Sequence, residues 1–179
     1  TLDVPDFAMR GFHEHTQHPI PMSDFYLRAD PDFRDEVSRY LRWLARNRQN
    51  VAFFHMLKTV DLDAWVPFMQ DVTAEAAGYG VGVGAVIGFA DQQQNAFKLV
   101  KALDEDAVPQ ITAGLDAVLA AGLRYVGFQI GTSEFTKPAD ATVLGWLDAA
   151  LTHLGAEWPD VEPFAWIHIT CGLAQDDGT

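Results

Sequence analysis

What most constrains this chain is an alternation along its length. Short runs of β-branched and aromatic residues are each followed by a longer stretch with apolar residues three and four positions apart. Val51 to Leu57 is a near-continuous apolar run, as a strand buried on both faces requires. Phe7 to His15, Val81 to Ala90, Arg124 to Ile130 and Pro163 to Thr170 read as four more strands. Helices are predicted over about Asp35 to Asn47, from Asp61 or Asp63 to Tyr79, over Asp106 to Ala121 and over Thr142 to Leu154. Val37, Tyr40, Leu41 and Leu44 form an apolar stripe on the first, and Gly80 and Gly122 stand where the second and third should stop. His18, Pro19, Ile20 and Pro21 read as a Pro-rich loop. This is the order of parallel βα units, which build either an open doubly wound sheet or part of a (β/α)8 barrel. A complete barrel takes about 250 residues, and the chain has 179. The expectation is one α/β domain over residues 1–179, the front portion of a TIM-type barrel with about five strands.

Composition removes several function classes. Twelve basic side chains against 25 acidic ones give a net charge of −13, which excludes a tracker of nucleic-acid phosphates and argues against an anionic membrane surface. No apolar run approaches the roughly 20 residues of a membrane span. The single cysteine, Cys171, excludes a disulfide framework and a multi-cysteine zinc site. Opening at Thr1 without methionine or a signal-like stretch, the sequence reads as processed, trimmed or part of a longer one.

Parallel sheets place their chemistry at the carboxyl ends of the strands. The first strand runs into His13-Glu14-His15-Thr16-Gln17-His18. Alternate residues of a strand share a face, so His13 and His15 can grip one ion, with Glu134 and His168 as later ligands; equally, they can hydrogen-bond a sugar or fix loops. His55, inside Phe53-Phe54-His55-Met56-Leu57, either points into a barrel mouth or is a core histidine. Gly82, Gly84 and Gly88 lie inside the third strand rather than after it, which suits close packing better than a phosphate loop. Asp91 to Asn95 is a cluster of amides and a carboxylate suited to a hydroxyl-rich ligand, or a solvated loop. Glu134 stands at the mouth of the fourth strand beside Phe128, Ile130 and Phe135, surroundings that favour the neutral form a general acid needs. Phe54, Trp65, Trp158 and Trp166 are aromatics near the same ends or their loops, available for sugar stacking or for the core. Cys171 and His168 lie three apart and face opposite sides, so they form no nucleophile dyad.

The order of segments resembles the catalytic barrel of family-20 glycoside hydrolases, the β-N-acetylhexosaminidase group. The residues that carry the resemblance are Asp3-Val4-Pro5-Asp6-Phe7-Ala8-Met9-Arg10-Gly11-Phe12, then Leu44 to His55, then Val72 to Val83, and Phe128 to Glu134 at the place of the family's catalytic signature. It covers most of residues 3 to 135. The resemblance implies that Arg10 hydrogen-bonds sugar hydroxyls and that Glu134 protonates the glycosidic oxygen. It also implies an exported protein that needs no cofactor. Ser133 stands where the family has an aspartate that orients the substrate's acetamido group, and Phe89-Ala90-Asp91-Gln92 replaces an acidic loop.

Three readings follow. The first is a glycosidase with Glu134 as acid and Arg10, His15, His55, Asp91 and His168 lining a carbohydrate pocket. The second is a metal-dependent hydrolase using His13, His15, Glu134 and His168. The third is a non-catalytic carbohydrate-binding protein on the same scaffold. In each, five strands leave an open sheet edge, to be covered by self-association or by a missing C-terminal half.

Overall fold

The computed structural model describes residues 6–16, 21–90, 95–131 and 139–168. Five strands, β1 (Gly11–Glu14), β2 (Val51–His55), β3 (Gly82–Gly88), β4 (Tyr125–Gly131) and β5 (Glu162–His168), form one sheet. Their spatial order is the chain order, β1-β2-β3-β4-β5, and each neighbouring pair is parallel. A doubly wound sheet reverses its order at a switch point. This one never does, so it is wound like a barrel wall.

Helices α1 (Pro21–Leu27), α2 (Arg34–Arg46), α3 (Leu62–Gly78), α4 (Ala107–Leu119) and α5 (Asp140–Glu157) connect the strands. The core lies between α2 to α5 and the sheet face that carries Ala52, Phe54, Val83, Ala85, Ile87, Val126 and Phe128. Two devices found in the sequence fix the helix ends. Asp61 and Asp106 accept from the backbone N–H two residues on, capping α3 and α4. Gly80 and Gly122 follow those helices with φ of 73° and 76°, a left-handed conformation that side chains resist.

Two expectations are corrected. β1 spans Gly11–Glu14 rather than Phe7 to His15. The residues before it give their backbone groups to side chains instead of a ladder. The Phe7 and Ala8 carbonyls accept from the Arg10 guanidinium, and Asn50 accepts from the Arg10 N–H (2.8 Å) while donating to the Ala8 carbonyl (2.7 Å). Pro21 belongs to a helix rather than to a loop: it opens α1, where its missing N–H is no loss. That helix buries Tyr26, whose ring stacks on Phe54 at 4.8 Å and whose carbonyl accepts from the Trp65 indole at 2.6 Å.

Candidate functional site

The sheet face away from the helices holds the candidate site. Side chains alternate across a strand, so Phe12 and Glu14 face α2, where the Tyr40 hydroxyl donates to Glu14 at 2.6 Å. His13 falls on the other face, and His15 just beyond the strand comes with it. There the His13 ring lies 4.5 Å from His55, and His15 lies 5.1 Å from it. Trp166 joins them from β5, with its ring 4.6 Å from His55, 5.8 Å from His13 and 6.5 Å from His15.

That convergence needs explaining, because β5 is three strands away from β2. Neighbouring strands sit about 4.8 Å apart, so a flat sheet would separate the two by roughly 14 Å. Glycines on this face close the gap. A Cβ on Gly84 would come within 2.8 Å of the Phe53 ring and 2.7 Å of the Tyr125 Cβ, and one on Gly127 within 2.5 Å of Phe164. The bare backbone of β3 and β4 lets Phe53 and Phe164 meet at 4.7 Å across it. Sheet twist and curvature bring Trp166 over the same trough. The result is a hollow at the carboxyl ends of the strands. Its floor is His55, which is buried; its rim is the exposed pair His13 and His15, and Trp166 is half-buried beside them.

The electrostatics follow from crowding. Packing around the His13 ring, and then the nearby His15, lower its basicity below the ordinary 6.5. A neutral imidazole offers one donor and one acceptor, which matches a hydroxyl group. An indole face accepts the apolar side of a ring.

The structure brings His13, His15 and His55 together and leaves Arg10 apart. Arg10 precedes β1 at the amino-terminal edge of the sheet, and its guanidinium is spent on the Arg48 carbonyl (2.9 Å) and on those of Phe7 and Ala8. Five residues of extended chain, roughly 16 Å, separate it from His15. Asp91, Glu134 and Cys171 lie outside the described residues, as does the side chain of His168, although the backbone of His168 pairs with Gly131 at the end of β5. Of the four aromatics near strand ends, Trp166 lines the hollow. Phe54 and Trp65 pack between sheet and helices, and Trp158 donates to Asp116 at 2.8 Å.

Sequence reasoning missed two residues of this region. Gln129 is buried on the inner face, in register with Gly88 and Trp166. Its signal was a lone polar side chain in an apolar strand. Thr16 is buried, and its hydroxyl donates to the His55 carbonyl, tying the end of β1 to the end of β2. Among the described residues, no three His, Cys, Asp or Glu side chains are placed to hold a metal ion.

No protein-family model and no curated protein matches the sequence. Solved structures do. A mutant form of an O-GlcNAc hydrolase of Thermobaculum terrenum superposes with a TM-score of 0.59 at 14% identity, covering 89% of this chain and 35% of that one. A beta-arabinopyranosidase gives a TM-score of 0.49 at 10% identity, covering 80% of this chain and 21% of that one. At 14% identity the likeness to the O-GlcNAc hydrolase is one of fold. The chain spans about a third of the length of the first and a fifth of the second.

Proposed function

We propose that the chain is the front portion of a glycoside-hydrolase-like barrel, over residues 1–179, whose carbohydrate site is the hollow at the carboxyl ends of its strands. The observation that carries this reading is the meeting of His13, His15 and Trp166 around His55 on the inner face, each ring within 5.1 Å of the His55 ring. Barrel enzymes work at that end of the sheet. Exposed imidazoles beside an indole face suit a ligand that has both hydroxyls and an apolar ring side. The similarity in fold to an O-GlcNAc hydrolase supports the same direction, and so does the resemblance of the sequence to family-20 enzymes.

In this reading Glu134 is the general acid. It follows the last residue of β4 by three positions in the sequence. Protonation of the leaving oxygen by such a carboxyl contributes about 10²- to 10⁴-fold in rate. Ser133 carries no charge where family-20 enzymes orient an acetamido group with aspartate, so turnover of N-acetylhexosaminides is slow compared with that family, and other glycosides belong in any screen. Arg10 takes no part in the hollow.

A panel of aryl glycosides, including the aryl N-acetylglucosaminide, tests the proposal with the native chain and Glu134→Gln. Cleavage by the native chain and a loss of at least 100-fold in the variant is the expected outcome. Cleavage that survives unchanged in Glu134→Gln removes the acid role. Binding without cleavage leaves a carbohydrate-binding protein on a barrel scaffold.

A further inference from the structure

Beyond His55 the chain of β2 parts from β3, and residues 95–100 enter between their carboxyl ends. The Met56 N–H still reaches the Val86 carbonyl (2.9 Å), but the Met56 carbonyl accepts from Phe97 at 2.8 Å. Gly88 gives both its backbone groups to the entering segment. Its N–H donates to the Phe97 carbonyl at 2.9 Å, and its carbonyl accepts from Leu99 at 3.0 Å. This pairing is parallel and sets Lys98 opposite Gly88.

Residues paired across strands share a face, and Gly88 belongs to the inner one, in register with Gln129 and then Trp166. The neighbours of Lys98 agree with that phase. Phe97 and Leu99 are both buried in the core under the helices, so Lys98 between them turns toward the hollow. Lys98, Gly88, Gln129 and Trp166 therefore make one row, a step beyond the row of His55 and Val86. Lys98 is half-buried and Gln129 is 1% exposed. Two strand spacings, roughly 10 Å, separate their backbones. Gly88 between them has no side chain, so an ammonium and an amide on long stems can meet above it.

The carboxylates of the described strands stand elsewhere. Glu14 faces α2, where it accepts from Tyr40, and Glu162 pairs with Arg124 at the amino-terminal end of the sheet. In a chain with a net charge of −13, the row thus turns a cation and an amide inward with no strand carboxylate beside them. We propose that the hollow takes an acidic sugar, a uronate, whose carboxylate is held by Lys98 and Gln129 above Gly88 while its ring lies against Trp166. This rests on the reading of the hollow as a carbohydrate site. A carboxylate accepts only, and it matches the three donors of an ammonium and the two of an amide. With three donors, Lys98 can serve this ligand alongside a protein group. Charge assistance makes such contacts stronger than those to a neutral hydroxyl, which is what separates a uronate from its parent sugar.

Calorimetric titration of the full chain with glucuronate, galacturonate, glucose and galactose provides the test. At least one uronate should bind about tenfold more tightly than its neutral parent, and the preference should shrink between about 0.05 and 0.5 M NaCl. Lys98→Met should abolish the preference while leaving the neutral sugar within about twofold, and Lys98→Arg should keep most of it. Gln129→Met, close in volume, should weaken uronate binding with the native circular dichroism spectrum retained. Uronates and neutral sugars bound alike overturn this inference and leave the carbohydrate site standing. So does a preference that survives Lys98→Met, or full uronate affinity in Gln129→Met. Binding of none of the four overturns the inference together with the reading on which it rests.

Discussion

Gly84 leaves room for two aromatic rings, and the account of the hollow depends on that room. Gly84→Ala places a methyl group against Phe53 and the Tyr125 Cβ, neither of which can retreat without moving the trough. Overpacking of this kind costs about 1–3 kcal/mol, readable as a lower midpoint in urea. Tyr26 gives the opposite expectation. Its hydroxyl is buried with no partner among the described residues, and burial pushes its pKa well up. Tyr26→Phe removes a desolvated group without touching the stack on Phe54, so thermal unfolding should stay level or rise by about 1 kcal/mol of stability. His13 sets a pH dependence. Its folded pKa lies below the ordinary 6.5, so on acidification the unfolded chain takes up the proton first. Stability is therefore unaffected by this group above pH 6.5 and falls as pH drops from 6.5 toward the folded pKa. The ring is exposed, which keeps the effect small. An NMR titration giving His13 a pKa at or above its ordinary value would remove it.

At the scale of elements, hydrophobic spacing and end signals made most of the fold legible. The sequence left the start of α3 between Asp61 and Asp63, of which Asp61 is the cap, while Asp106, Gly80 and Gly122 marked the other limits of α3 and α4, and β2 to β5 fall within two residues of the apolar runs that predicted them. Asp106→Ala should cost about 1 kcal/mol in chemical unfolding by leaving the Val108 N–H without its cap. Short elements were less legible, for a physical reason. Helix α1 has seven residues, two turns, too few for a period to stand out from its Pro-rich approach. β1 is an edge strand, and Asn50 and Arg10 side chains compete for the backbone that would have lengthened it. Asn50 reaches that backbone from about 40 residues away, a link that spacing along the sequence does not reveal.

At the scale of the molecule, the order of strands could not be read from local pattern, since both windings share the same βα alternation. The site was legible as a set of strand ends, and so His13, His15 and His55 could be named. What brought Trp166 to them was the glycine floor of β3 and β4, a property of how four strands lie together rather than of any one of them. Arg10 shows the converse: a motif fixes a position in the chain, while its partners decide which end of the sheet the side chain serves. The hollow itself is open to direct examination. Histidine side-chain resonances, assigned by single substitutions, should be followed while the native chain is titrated with carbohydrates that its aryl-glycoside screen selects. Saturable shifts at His13, His15 and His55, with His153 on α5 unmoved, are the predicted result. Shifts confined to His153, or uniform across all the histidines, would contradict a carbohydrate site at the carboxyl ends of these strands.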